Sequence, residues 1–210
     1  MTSQQQPNAN LRHPAAAVAA IVLALLFPLY WGSWMFSPTD DWYLALQQDL
    51  LQLNLSDVLF IAIGALEIYL YWRLRQIFAD QLQQSAAKVL VTIMLLCVLA
   101  FHGLVLVDVY ATLMPPLKAT EIEILTDFSL AIAFLLIIGY CISAVGLAIV
   151  LLVKSQQTPV SLKVFCGLLL LSAILQVSVI LAMVNLIVFP IALIALAVYF
   201  WRDDAAVEVV

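Results

Sequence analysis

Charge is scarce in this 210-residue chain. Its eight Lys and Arg and thirteen Asp and Glu make up 10% of it, against about a quarter in an ordinary soluble domain. Too little polar surface remains to cover a fold in water. The net charge is −5 with no basic stripe, which argues against nucleic-acid partners. Cysteine is also sparse. Cys97, Cys141 and Cys166 lie singly inside apolar runs with no C-x-x-C, so they read as small buried hydrophobes rather than a redox pair. Of the two histidines only His102 lies within an apolar run, which leaves a bis-histidine haem site without its second ligand. H-E-x-x-H, G-x-S-x-G and G-x-x-x-x-G-K-[ST] are all missing. No catalytic, nucleotide or metal motif is present, no cofactor is expected, and an enzyme is unsupported.

Apolar sequence is what the chain has in quantity. Hydrophobic residues make up 66% of it, and the mean hydropathy is +1.12. A spanning helix needs about 20 mostly apolar residues, and such stretches occur at 14–36, 56–74, 89–113 and 127–153. A further block from 162 to 201 would make a rod of roughly 60 Å as one helix, about twice the hydrocarbon thickness. It must turn back, giving spans at 162–182 and 185–201. Asn185, which tolerates the left-handed backbone of a tight turn, places that turn at Met183–Asn185. The fold class is therefore all-α, a polytopic integral membrane protein with a bundle of six transmembrane helices. A polar tail covers 1–13, one membrane domain covers 14–202, and a second tail covers 203–210. The first stretch is too long for a secretion-signal core and lacks a cleavage pattern, so it is expected to remain as a span.

Basic residues orient the bundle. Arg12, Arg73, Arg75, Lys88, Lys154, Lys163 and Arg202 share one side of a six-span arrangement, and only Lys118 falls on the other. By the positive-inside rule both termini are cytoplasmic, most simply in a bacterial inner membrane. Tyr30, Trp31, Trp34, Trp42 and Tyr43 then mark the outer boundary, and Tyr71, Trp72, Tyr199 and Trp201 the inner one.

The segments between spans are short. Residues 40–54 begin with helix-starting acids and place Trp42, Leu46, Leu50 and Leu53 on one face, which predicts a short amphipathic helix in the first outer loop. Thr126-Asp127 offers an N-cap for the fourth span. Residues 75–88 should extend the second span. Ala16, Ala20 and Ala24, and likewise Gly139, Ser143 and Gly146, form small-residue faces that let helices approach closely.

Polar groups inside the spans are the candidate functional residues. An ionisable side chain at mid-membrane costs a few kcal/mol and normally faces a partner or cavity. Glu67 lies ten residues below Asp57, and His102 lies twelve below Met114, so the two reach nearly one depth on antiparallel helices and can pair. Tyr140 and Gln176 share that layer. Asp108 is nearer the outer end and rotated away from His102, within reach of Lys118. Three readings follow: a non-enzymatic scaffold, accessory subunit or regulator held together by these groups; a small transporter or proton-coupled channel using Glu67 and His102; and a membrane enzyme or quinone site at His102. Lipid is the expected surrounding, possible partners are other membrane proteins, and a cavity at this layer would favour transport or catalysis.

Overall fold

In lipid no water can satisfy an unpaired amide, so apolar runs of this length must fold as helices that bond within themselves. The computed structural model describes residues 13–36, 41–80, 82–114, 116–153, 158–178 and 181–201. Residues 1–12, 37–40, 81, 115, 154–157, 179–180 and 202–210 lie outside the described residues. The helices are α1 (Pro14–Met35), α2 (Trp42–Leu50), α3 (Leu55–Asp80), α4 (Ser85–His102), α5 (Val105–Leu113), α6 (Ala119–Val153), α7 (Val160–Val177) and α8 (Ala182–Trp201). Counting α4 and α5 as one interrupted segment, six are long and apolar enough to cross a membrane. The chain is a multi-pass membrane protein.

The six spans form a closed ring in chain order. Each packs on its sequence neighbour, α1 on α3, α3 on α4, α4 on α6, α6 on α7 and α7 on α8, and α8 closes back on α1. Apolar side chains occupy both faces of the wall. Leu25, Leu29, Ile61, Leu99, Ile142 and Ile187 point outward, where lipid would meet them, while Leu23, Leu74, Phe78, Leu147, Leu151, Phe165 and Phe200 fill the interior.

Small residues set the close approaches. Ala16, Ala20 and Ala24 are buried in the α1–α8 half of the ring. A Cβ on Gly139 would stand 3.3 Å from Cys97 Sγ, and one on Gly146 3.2 Å from Leu90, so these two glycines fix how near α6 comes to α4.

Four boundaries differ from those the sequence suggests. The last reversal falls between Val177, where α7 ends, and Ala182, where α8 begins, with the Leu181 and Ala182 N–H groups donating to the Ser178 carbonyl; Asn185 lies inside α8 and is buried. The fourth span begins at Ala119 rather than at Thr126-Asp127. Its start is closed by Glu121, which accepts from the Lys118 amide at 2.8 Å in half of a capping box, and Thr126 bonds back to the Ile122 carbonyl within the helix. The third span is interrupted just after His102. There the Leu104, Leu106 and Val107 amides bond three residues back, a tightened turn of the 3₁₀ kind. Finally, His13 is not part of a free tail: its amide donates to the Phe200 carbonyl at 3.0 Å.

The short outer helix is shorter than expected. Asp41 caps α2, its carboxylate accepting from the Tyr43 and Leu44 amides. Only Leu50 of the anticipated face is buried; Leu46 is half-buried, and Trp42 and Leu53 are exposed. The extension of the second span is present only to Asp80, where α3 ends, and residues 85–88 already belong to α4.

Candidate functional site

All six spans line one cavity of about 170 Å³. Its walls come from the second half of α1, the early turns of α3, the end of α4, the middle of α6, the end of α7 and the beginning of α8. These segments lie in the half of the bundle nearer α2. Toward the opposite end, where the basic residues gather, the interior is filled by Leu74, Phe78, Leu151, Phe165 and Phe200.

Helix α1 has two halves of different bulk. Its alanines let it lie close in one half, whereas Phe27, Tyr30 and Trp31 make it wide in the other. Phe27 meets Phe189 of α8 with ring centroids 4.7 Å apart. Tyr30 stacks on Phe60 of α3 at 5.6 Å, and Trp31 reaches Phe101 of α4 at 6.3 Å. This belt of rings holds α1 off its neighbours and walls one side of the cavity.

The four polar residues inferred from depth, Glu67, His102, Tyr140 and Gln176, all line this cavity. They do not join as one network. Tyr140 shares a 2.5 Å hydrogen bond with Tyr71 of α3. Gln176 accepts from the Asn185 amide at 2.6 Å, and Asn185 accepts from the Ser172 hydroxyl at 2.6 Å, which links α7 to α8. His102 Nδ1 bonds to the Val98 carbonyl at 3.1 Å, its ring lies 4.4 Å from that of Phe60, and a Cβ on Gly64 would overlap it.

Glu67 is buried, and no hydrogen bond or ion pair joins it to His102 or to any other described residue. The expected Glu67–His102 pair is therefore not formed. The histidine is turned toward Phe60 and Gly64, and the carboxyl is left to the cavity. Asp108, on α5, does not line the cavity. It stands in the electrostatic neighbourhood of Asp57 and Asp49, and no ion pair with Lys118 is formed among the described residues.

Ser172, Asn185, Cys97 and Gly64 belong to the site and were not singled out by depth. Ser172 stands one turn before Gln176, a spacing that puts both on one helix face and could have marked it. Asn185 gave a signal, but of a turn. Nothing in the sequence marks Gly64 as the place where α3 admits the His102 ring.

A second polar cluster closes the basic end. Arg73 donates to His13 Nδ1 at 2.7 Å and to Gln76 at 2.6 Å. Burial, and next the Arg73 charge, hold His13 below its ordinary value, so it is neutral in this contact. This ties the start of α1 to α3 and the end of α8.

Among the described residues, no group of three or more His, Cys, Asp or Glu is placed to hold a metal ion. The chain matches no protein-family model, no curated protein and no solved structure, so a functional reading rests on the cavity.

Proposed function

We propose that this protein is a small membrane transporter or proton-coupled channel that takes a solute into the cavity, with Glu67 as its proton-exchanging group. One observation carries the reading: six helices converge on a cavity whose acidic side chain has no hydrogen-bond or ion-pair partner among the described residues. An acidic residue at a helix centre costs about 2.5–3.5 kcal/mol to insert, and neighbouring side chains do not offset that cost here. Intramembrane acids without such partners belong to ion or solute pathways. His102, on the neighbouring α4, lines the same cavity as a second group able to carry a proton. The third span is interrupted directly after the cavity-lining Phe101 and His102, and broken helices beside a midplane site are a common feature of transporters. On the positive-inside rule both termini are cytoplasmic, the cavity half faces outward, and the membrane is a bacterial inner membrane.

A scaffold or accessory-subunit role has its own support. The Tyr71–Tyr140 and Ser172–Asn185–Gln176 bonds are paired within the protein and read as interhelical glue.

Glu67→Gln separates the two. It keeps the shape and a hydrogen-bonding head while removing the titrating group. For a proton-coupled pathway, wild type in proteoliposomes carries a pH-dependent flux, and Glu67→Gln folds normally but abolishes it. Wild-type flux no greater than that of protein-free vesicles would leave the scaffold role in its place.

A further inference from the structure

We propose that the cavity selects a small monovalent organic cation: an amine or quaternary ammonium group borne on an apolar body of about one ring. The inference rests on the reading of the cavity as a solute site and names the class of solute.

Charge comes first. Among the described lining residues Glu67 is the one acid and His102 the one base, with no Lys or Arg beside them. An anion finds no fixed positive charge there. A neutral apolar molecule gives Glu67 nothing that keeps it ionised, and a buried carboxyl without a partner neutralises instead. A cation supplies the partner that the described residues withhold.

The walls agree with a soft cation rather than a metal ion. A hard cation such as calcium takes six to eight oxygen ligands, and among the described residues no cluster of three or more His, Cys, Asp or Glu is assembled. What lines the cavity together with Glu67 is a set of rings, Phe27, Trp31, Phe101, Tyr140 and Phe189. Aromatic faces attract ammonium groups, and cages of them are the usual recognition device for quaternary nitrogen. The amide oxygens of Gln176 and Asn185 each accept one bond within the protein and keep a second lone pair, which suits an N–H donor of a primary or secondary amine.

Size sets the body of the ligand. An engineered apolar cavity of ~150 Å³ admits benzene, and this one is about 170 Å³, so one ring or a branched group of similar bulk fits.

The test uses the purified chain in detergent and two probes of one shape. Benzylammonium carries the charge, and ethylbenzene replaces its nitrogen by carbon. Ligand-induced thermal stabilisation is titrated for both, in wild type and in Glu67→Gln. The expected result is saturable stabilisation by the cation at least tenfold tighter than by the neutral probe. In Glu67→Gln the cation should weaken tenfold or more while the neutral probe is unchanged, which shows the cavity intact. Equal affinity of the two probes in wild type, or a cation affinity indifferent to Glu67→Gln, overturns the cation assignment and leaves a solute cavity of another class. Binding of neither probe overturns the assignment and counts against the solute cavity too. Should Glu67→Gln not purify, the ratio of the two probes in wild type decides.

Discussion

Gly64 is the residue on which the geometry of the cavity most directly depends. It lies in α3 with the His102 ring occupying the space where a side chain would begin, so α3 and α4 meet there without a Cβ between them. Gly64→Ala forces the imidazole or the helix to move, and overpacking of this kind costs about 1–3 kcal/mol. The thermal midpoint in detergent should fall accordingly, and cavity binding should weaken with it. Gly167→Ala is the matching control, because a Cβ there meets nothing within 4 Å; its midpoint should not fall. Equal midpoints for the two variants would mean that the His102 ring yields freely. Depth along a helix can be counted from sequence, and that count brought Glu67, His102, Tyr140 and Gln176 to one layer. Rotation cannot be counted, and the Glu67–His102 pairing failed on it. Which neighbour a ring turns to depends on what the next helix leaves open, and here Phe60 and Gly64 leave that opening to His102.

The helices were legible as apolar runs, while their ends were legible only approximately. The acids at 40–41 marked the start of α2, and Asp41 is the one that caps it. Thr126-Asp127 had a rival: Lys118 and Glu121 close α6 two turns earlier. The connection between α7 and α8 carried no glycine or proline to betray it, and Asn185 serves α8 from within by bonding to Ser172 and Gln176. For α2 the fold makes a definite statement. The Tyr43 hydroxyl donates to Asp127 of α6 at 2.7 Å, a long-range tether that also raises the phenol above its ordinary value. Tyr43→Phe removes that tether and leaves the Asp41 cap in place. A spin label at Gln48 should become more mobile, and amide exchange across 42–50 faster, with the bundle's thermal midpoint unchanged. Unaltered mobility would mean that α2 is held by its apolar contacts alone.

For the molecule as a whole, orientation is the property that the proposed role most needs. In an otherwise cysteine-free chain, Asp41→Cys and Thr120→Cys should label from outside intact cells, whereas Gln83→Cys and Gln157→Cys should label only after permeabilisation. Outside labelling at Gln83 would invert the bundle and turn the cavity toward the cytoplasm. The ring itself was not legible, because six apolar helices can be arranged in many ways, and short connections fix neighbours only in pairs. What closes it is the α1–α8 seam, with the His13 amide bonded to the Phe200 carbonyl. Seen around its circumference, the bundle has no first stave and no last. A chain cut in the turn between α6 and α7, with a short linker joining the end of α8 to the start of α1, keeps every pairwise contact of the wall. It also keeps an even number of crossings, so the permuted order would specify the same ring.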